Sequence, residues 1–440
     1  MTSRELRHRY ALISFLTWLP TGLFIPVLVV LLLERGIGLT TIAALGVAYS
    51  VTVMLLELPT GGLADVVGRR PVMVASAASS LAALILLGFA DSLVLLALSA
   101  VLRGVGRALG SGPVEAWYVD QANELPDADL THGLSVGAMA SSVALAVGTV
   151  AGGVIPFGLG ATLALPVLLA AGADGVRLVV TLVAMPEPKY EAKTLRSVVR
   201  GVPSAIASGV RVAGRSVVLI RILMVSAGMG TTLAVMELLT PAWLTELAGA
   251  ADRGVLAYGL VAAVGFAADA LGSGLSMPLL RRLGSVRAVC LAGYTVSSLA
   301  LAGMAAATAV DGIAGVLAAA IAYSLMFVGL GVTAGPLAQL LHSQVDAAER
   351  ATVVSVESLI LMLAGAVGVV GLGQLAVSTH PAVAFGVTAV VLAVLAAPVI
   401  AVTQGSEVRG VAGDLAAGGV LPAAAGAAGR EAVDSSPDRR

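Results

Sequence analysis

The hydrophobic pattern of this chain consists of long apolar stretches separated by short polar breaks. Most stretches are about 20 residues long, which is the length that an α-helix needs to cross a bilayer, whereas a membrane β-barrel would show alternating positions instead. Counting stretches against breaks predicts about twelve spans. They cover residues 10–33, 40–58, 72–90, 93–109, 133–155, 162–185, 217–239, 255–280, 286–309, 313–337, 353–375 and 383–402.

Composition indicates the same class of protein. Of the 440 residues, 58% are hydrophobic and 12% are charged, with a mean hydropathy of +1.00, whereas soluble proteins carry about 25% charged residues. The predicted fold class is therefore all-α and integral to the membrane. The single cysteine, Cys290, excludes an internal disulfide framework. Because the chain lacks P-loop and H-E-x-x-H motifs, we expect no enzyme activity, no metal and no cofactor.

Lysine and arginine are distributed unevenly over the predicted connections. If the amino terminus is inside, the outside connections hold only Arg35 and Arg253. The inside connections hold Arg69, Arg70, Lys189, Lys193, Arg196, Arg200, Arg211, Arg215, Arg281, Arg282, Arg287 and Arg350. This asymmetry predicts a multi-pass protein of the plasma membrane, the inner membrane of a bacterial cell, with both termini in the cytoplasm.

The longest polar interruption, residues 186–216, divides the chain into an amino-terminal half, residues 1–185, and a carboxy-terminal half, residues 217–404. Each half holds six predicted spans. If the halves are related by a pseudo-twofold axis, a path for a small molecule would run along their interface. The remaining residues, 405–440, are rich in Ala and Gly without periodicity, which predicts a disordered cytoplasmic tail.

A short charged connection, residues 61–70, separates the second and third spans and reads Gly-Gly-Leu-Ala-Asp-Val-Val-Gly-Arg-Arg. It resembles the signature of the major facilitator superfamily, G-x-L-a-D-r-x-G-r-k, with Val66 in place of the usual Arg. The resemblance implies twelve transmembrane helices in two pseudo-symmetric six-helix halves. It also implies a cytoplasmic gate formed by Gly61, Asp65, Gly68, Arg69 and Arg70. The alternative is a generic positively charged turn on the inner side.

The fourth span carries two arginines and ends near an acid. Arg103 and Arg107 share a helix face, and two cations on an apolar helix require anions or water. Arg103 resembles the arginine of the superfamily's R-x-x-Q-G motif, with Gly106 at the position of Gln. Asp120 stands where family members often have an acid, which implies a latch with Asp65 and Arg69. An ordinary exposed acid is the alternative for Asp120.

Carboxyl groups within the spans are candidates for proton coupling. Burial disfavours the charged form, so an unpaired carboxyl in an apolar bundle can exchange a proton near neutral pH. We expect Glu57, Glu237 and Asp269, together with Arg103, to couple protons or to line the substrate path. A structural partner for an arginine is the alternative for Glu57. The remaining pair, Asp174 and Arg177, is spaced to satisfy itself on one helix.

Glycines and tryptophans give further indications. In the fifth span, Gly148, Gly152 and Gly153 fall on the antiporter motif G-P-x-x-G-G of drug-exporting members, with Thr149 replacing the proline. Such spacing also suits any tightly packed helix, so these glycines are expected at helix contacts. Trp117 and Trp243, near predicted helix ends, are expected to anchor the protein at the membrane interface.

The resemblance extends to a branch of the superfamily, the drug:proton antiporters of multidrug efflux. It implies a secondary active transporter that exports small amphipathic or drug-like compounds by alternating access, driven by protons. The expected partners are a small-molecule substrate, protons and the bilayer, with no nucleic acid, and the expected state is a monomer. One alternative is an exporter or importer of a specific metabolite, such as a sugar or amino acid derivative. Another is a membrane sensor without transport, which we disfavour because the tail is too simple for a folded domain.

Overall fold

A computed structural model describes residues 2–126, 128–186, 211, 214, 216–344 and 350–400. Most of the predicted linker and the whole predicted tail lie outside these residues. The helices of the described part are α1 Ser3–Glu34, α2 Leu39–Val67, α3 Arg69–Phe89, α4 Leu93–Gly110, α5 Pro113–Asn123, α6 Leu130–Leu159, α7 Ala164–Ala184, α8 Val217–Ala248, α9 Ala251–Leu283, α10 Val286–Ala307, α11 Gly312–Ser343, α12 Arg350–Ser378 and α13 Pro381–Ile400.

Twelve helical segments of the described part are long and apolar enough to cross a membrane. This confirms the predicted all-α class and number of spans. One span consists of two helices, because the chain breaks at Ser111 and Gly112 between α4 and α5. Gly112 has a φ of +95°, which other residues rarely adopt, and Pro113 then starts α5 at a position where its missing N–H costs nothing.

The predicted connection over residues 61–70 is wrong in extent. Helix α2 continues to Val67 and α3 begins at Arg69, so that Gly68 alone separates the two helices. The φ of Gly68 is +101°, and this glycine conformation lets the chain reverse within one residue. The connection between the two helices is therefore a single residue. The side chain of Asp65 and the surroundings of Gly61 lie outside the described part of the structure.

The helices pack as two groups. In the first group α1 packs on α6 and α7, α3 packs on α4 and α7, and α2 packs on α4. In the second group α11 packs on α9 and α10, and α8 packs on α12 and α13. We call the face of the bundle at which α1 begins the amino-terminal face and the opposite one the far face. Successive spans alternate in direction between these two faces.

The two groups meet along two seams, α6 with α9 and α2 with α12. In the first seam backbones touch: a Cβ added to Gly259 would lie 2.9 Å from both the Cα of Gly153 and the carbonyl oxygen of Thr149. In the second seam side chains meet. Near the far face, Thr40 Oγ1 donates to Gln374 Oε1 at 2.9 Å.

The other two glycines of the fifth span contact α1 within the first group. A Cβ on Gly148 would lie 2.9 Å from Gly22 Cα, and one on Gly152 would lie 2.3 Å from the carbonyl oxygen of Leu23. Neighbouring glycines on α6 therefore serve different contacts, since Gly152 faces its own group and Gly153 faces the other one.

The interface-anchor prediction for two tryptophans is wrong. The exposed fraction is 1% for Trp117 and 5% for Trp243, so both rings are buried within the protein. Trp243 packs edge to face on Phe385, with ring centroids 6.1 Å apart. Trp117 donates from Nε1 to the carbonyl oxygen of Pro186 at 3.1 Å. Sequence position near a helix end could not distinguish a lipid-facing ring from a core ring.

Candidate functional site

A cavity of about 430 Å³ lies between the two groups of helices. Helices α1, α2, α3, α4 and α7 form one side, which we call the amino-terminal wall, and α8 and α12 form the other, the carboxy-terminal wall. The charged residues that line the cavity are Arg103, Arg107, Asp174, Arg177 and Glu237. A space that gathers these charges inside an apolar bundle must be accessible to water or to a polar ligand.

Aromatic rings hold the two arginines of α4. The guanidinium carbon of Arg103 lies 5.3 Å from the ring centroid of Phe24 and 5.4 Å from that of Tyr49. The guanidinium carbon of Arg107 lies 5.4 Å from the ring centroid of Trp18. Such cation–π contacts orient the cation without using its N–H groups. Within the described residues, Arg103 Nε has no hydrogen-bond partner, so this arginine retains donor capacity for a ligand.

The carboxy-terminal wall contributes one acid, Glu237 of α8. Its chain neighbours Met236 and Leu238 are 1% and 4% exposed, whereas the Glu237 side chain is exposed and lines the cavity. The exposed surface of Glu237 therefore faces the cavity. Of the four residues predicted for coupling or for the substrate path, the structure brings Arg103 and Glu237 to the same space.

The other two predicted acids lie elsewhere. Glu57 is in the α2–α12 seam, where Ser358 Oγ donates to Glu57 Oε2 at 3.3 Å. Asp269 is half-buried on α9. Its backbone carbonyl oxygen lies against Gly331 of α11, where a Cβ added to the glycine would be 2.3 Å away. Neither residue lines the cavity in the described part of the structure. The spacing of acids along separate helices could not show which of them face inwards.

Sequence reasoning missed the cavity position of Asp174 and Arg177. It predicted that the two residues pair with each other, and the ion pair is present, because Arg177 Nη2 lies 2.8 Å from Asp174 Oδ1. The side chain of Arg177 is 4% exposed and that of Asp174 is 2% exposed, and both line the cavity. The available signal was the presence of two charges in the middle of one apolar span.

The predicted gate residues lie at the amino-terminal face. Arg69 Nη2 lies 2.8 Å from Asp120 Oδ2, and this ion pair joins the start of α3 to α5. Arg70 instead donates to the carbonyl oxygen of Leu182, near the end of α7. Helix ends leave carbonyl groups unpaired and carry partial negative charge, so Arg70 acts there as a cap.

Two further donors reach the chain at the same helix end. Arg9 Nη1 donates to the carbonyl oxygen of Ala184 at 3.2 Å, and Trp117 donates to that of Pro186. An equivalent contact occurs at the far face, where Arg35 donates to the carbonyl oxygens of Leu87 and Gly88 at 2.6 Å each. Partial burial lowers the pKa of Arg35. These contacts fix the ends of α3 and α7 within the first group.

The geometry defines a class of protein: twelve spanning helices in two six-helix halves around a central charged cavity form a membrane transporter. The sequence pattern of the Major Facilitator Superfamily matches residues 10–369, and the chain belongs to this family. It is therefore a secondary transporter of the major facilitator type and not an enzyme. The family match confirms the resemblance recognised at residues 61–70.

Solved structures share this fold at low sequence identity. The nucleoside transporter NupG has a TM-score of 0.73 and 13% identity, over 90% of this chain and 98% of that one. A peptide transporter POT in complex with sulfate has a TM-score of 0.72 and 16% identity, over 90% and 94%. A POT family transporter in complex with 5-aminolevulinic acid has a TM-score of 0.71 and 13% identity, over 90% and 95%. No curated protein matches this chain significantly.

Proposed function

We propose that this transporter exports a small amphipathic compound through the central cavity by alternating access, in exchange for protons. The main support is that Arg103 and Arg107 on the amino-terminal wall lie opposite Glu237 on the carboxy-terminal wall. The rings of Trp18 and Tyr49 and the apolar lining offer contacts for the uncharged part of such a cargo. A cavity of about 430 Å³ is of the size that binds small molecules.

Proton exchange would take place at Glu237. A basic group of the cargo and a proton both neutralise this carboxylate, so they compete for it, and the release of one favours the binding of the other. The two arginines would hold an acidic group of the same cargo. Two cations on one wall disfavour a purely cationic drug, because like charges repel in a site of low dielectric. A cargo with both an acidic and a basic group fits best.

A gating role for the amino-terminal face is part of the proposal. The Arg69–Asp120 ion pair and the Arg70 cap hold α3, α5 and α7 together at this face, which favours movement of the first six-helix half as one body. We propose that Asp65, Gly61 and Gly68 complete the gate, as the family resemblance implies. In the seams, Thr40–Gln374 and Gly153–Gly259 would separate when the far face opens.

We also propose that the amino-terminal face lies in the cytoplasm, that the protein works as a monomer, and that it resides in the plasma membrane. The lysine and arginine asymmetry supports this orientation. The native Cys290 is buried, so an engineered cysteine can be labelled with little labelling of the native one. An impermeant maleimide added to intact cells should label Asp91→Cys at the far face but not Asp129→Cys. Labelling with the opposite preference would refute the orientation.

A second candidate function is transport of one specific metabolite that carries an acid and a base. The opposed charges of Arg103 and Glu237 favour it, because fixed opposite charges select a fixed spacing in the ligand. The nucleoside and peptide transporters of similar fold are compatible with such a cargo. One POT family structure is a complex with 5-aminolevulinic acid. Narrow selectivity within a panel of zwitterions would favour this candidate over broad export.

The test is a growth assay in an efflux-deficient bacterial host. Cells that express the transporter should tolerate higher concentrations of some amphipathic compounds in a panel, and a protonophore should remove this tolerance. Glu237→Gln should remove it as well. Glu246→Gln is the matched control, since Glu246 is an exposed residue of the same helix outside the cavity lining. Equal tolerance with Glu237→Gln would refute the exchange site at comparable expression.

A further inference from the structure

The buried ion pair of α7 faces a polar recess of the cavity that the proposed cargo site does not use. We use the name recess for the part of the amino-terminal wall that carries the lining residues Ser76 and Ser80 of α3, Gly106 of α4, and Asp174 with Arg177 of α7. The glycine is required there, because a Cβ on Gly106 would lie 2.3 Å from Ser80 Oγ. The recess lies within the amino-terminal wall, away from Glu237 on the opposite wall.

Arg177 has hydrogen-bonding capacity that Asp174 does not use. Its side chain is 4% exposed, yet Arg177 Nε has no hydrogen-bond partner within the described residues. One turn further along α7, the Thr181 hydroxyl is fully buried and also has no partner there. Buried donors of this kind cost free energy unless a ligand or water satisfies them, and a guanidinium prefers an anion.

Few other charges act on this pair. Helix α4 contributes Arg103 and Arg107, which line the same cavity. The helices packed on α7 carry titratable groups only towards their ends: Arg4, Glu5, Arg7, His8, Arg9, Tyr10 and Glu34 on α1, Arg69 and Arg70 on α3, and His132 on α6. Of the residues that define the recess, only Asp174 and Arg177 are charged.

We infer that Asp174 and Arg177 form a proton-linked binding site for a small monovalent anion, such as chloride or a small free carboxylate. The proton adds to the Asp174 carboxylate, and the anion replaces that carboxylate beside Arg177. The recess then has zero net charge both before and after binding. An anion alone would leave one negative charge, and a proton alone would leave one positive charge, and either is costly in a buried site.

The two ligands must consequently assist each other. Coupling between binding sites is reciprocal, so an anion promotes proton uptake as much as a proton promotes anion binding. Where the anion binds only together with one proton, its apparent affinity rises about tenfold for each unit by which the pH falls. This inference is independent of the direction of transport and of the exchange at Glu237.

The experiment measures proton uptake by the purified full-length chain in detergent, with a pH-indicating dye in weak buffer. Addition of sodium chloride or sodium acetate should cause saturable uptake of up to about one proton per chain. Sodium gluconate of equal ionic strength should not, because its carboxylate is carried by a much larger anion. Saturation with chloride identifies an inorganic anion, and saturation with acetate alone identifies a carboxylate. No saturable uptake with either anion would overturn the inference.

Variants distinguish this site from a structural ion pair. Asp174→Asn should abolish the uptake, while Asp311→Asn, an exposed control, should retain it. Because the single change leaves Arg177 buried without a counter-charge, a second variant removes both charges, Asp174→Asn with Arg177→Gln. A folded double variant, monodisperse in size-exclusion chromatography, should also show no uptake. Uptake that persists in either variant would contradict the assignment.

Discussion

The two walls of the cavity differ in chemistry. The amino-terminal wall carries two cations and an ion pair, with aromatic rings against the cations. The carboxy-terminal wall is apolar apart from Glu237, and its other lining residues include Leu233, Leu361, Met362, Ala366 and Val369. Since the halves share one fold, this difference lies in side chains and not in architecture. It suggests that one wall recognises charged groups of the cargo, while the other offers hydrophobic contact and one titratable acid.

The largest effect expected on the amino-terminal wall comes from removing Arg103, the cation held by the rings of Phe24 and Tyr49. Arg103→Met keeps the length of the side chain but loses the charge, and a hydrogen bond to a charged group contributes about 1.5–3 kcal/mol, so transport should fall roughly 10- to 100-fold. Arg103→Lys should not restore it, because lysine lacks the planar guanidinium that contacts the rings of Phe24 and Tyr49. Initial rates in vesicles measure this effect.

Arg253→Met is the control for that change, because Arg253 is exposed near the start of α9 and does not line the cavity. It should transport like the unmodified protein. If Arg103→Met and Arg253→Met transported equally well, the charged wall would have no role in recognition.

The next effect concerns how closely the two halves approach. Gly259→Val would force side-chain atoms against the backbone of Gly153 and Thr149, since a Cβ alone already lies 2.9 Å from both. We expect normal membrane insertion and transport reduced several-fold or more, measured as flux per inserted molecule. Gly274→Val, on the same helix with no atom within 4 Å of an added Cβ, should cost far less. Similar losses in both variants would indicate a general helix defect.

A smaller effect is expected at the amino-terminal face. Arg69 and Asp120 are 13% and 39% exposed, so their ion pair is partly screened by solvent and should contribute no more than about 1 kcal/mol. Arg69→Gln and Asp120→Asn should each slow turnover a few-fold, and the double variant should be no slower than the slower single one. A double-mutant cycle of transport rates checks this, and strictly additive losses would show that the two residues act separately.

The smallest effect is expected on the apolar wall. Met362→Leu conserves volume and hydrophobicity, and such exchanges usually cost little, so transport should change by less than about twofold. Met362→Gln places a polar group on the wall and should lower the apparent affinity for the cargo more than Met362→Leu does. Competition assays with a transported compound measure both. Equal affinities of the two variants would mean that this wall does not contact the cargo.

The sequence alone was sufficient for the fold class, the number of spans and the family, because these depend on apolar length and on one local motif. It also predicted the pairing of Asp174 with Arg177, since residues at i and i+3 meet on any helix. Position inside the bundle could not be predicted. Glu57 and Glu237 look alike in sequence, but one lies in a seam and the other in the cavity, because helix rotation and packing decide which face turns inwards.

The central claim is that the cavity exchanges a cargo for protons at Glu237. Vesicles that contain the purified protein and a trapped pH dye, loaded with a compound identified in the growth assay, test it most directly. An imposed pH gradient should drive cargo flux, and the cargo should dissipate the gradient. Glu237→Gln should lose both effects, while Glu246→Gln retains them. Cargo flux in Glu237→Gln that still follows the pH gradient would contradict the claim.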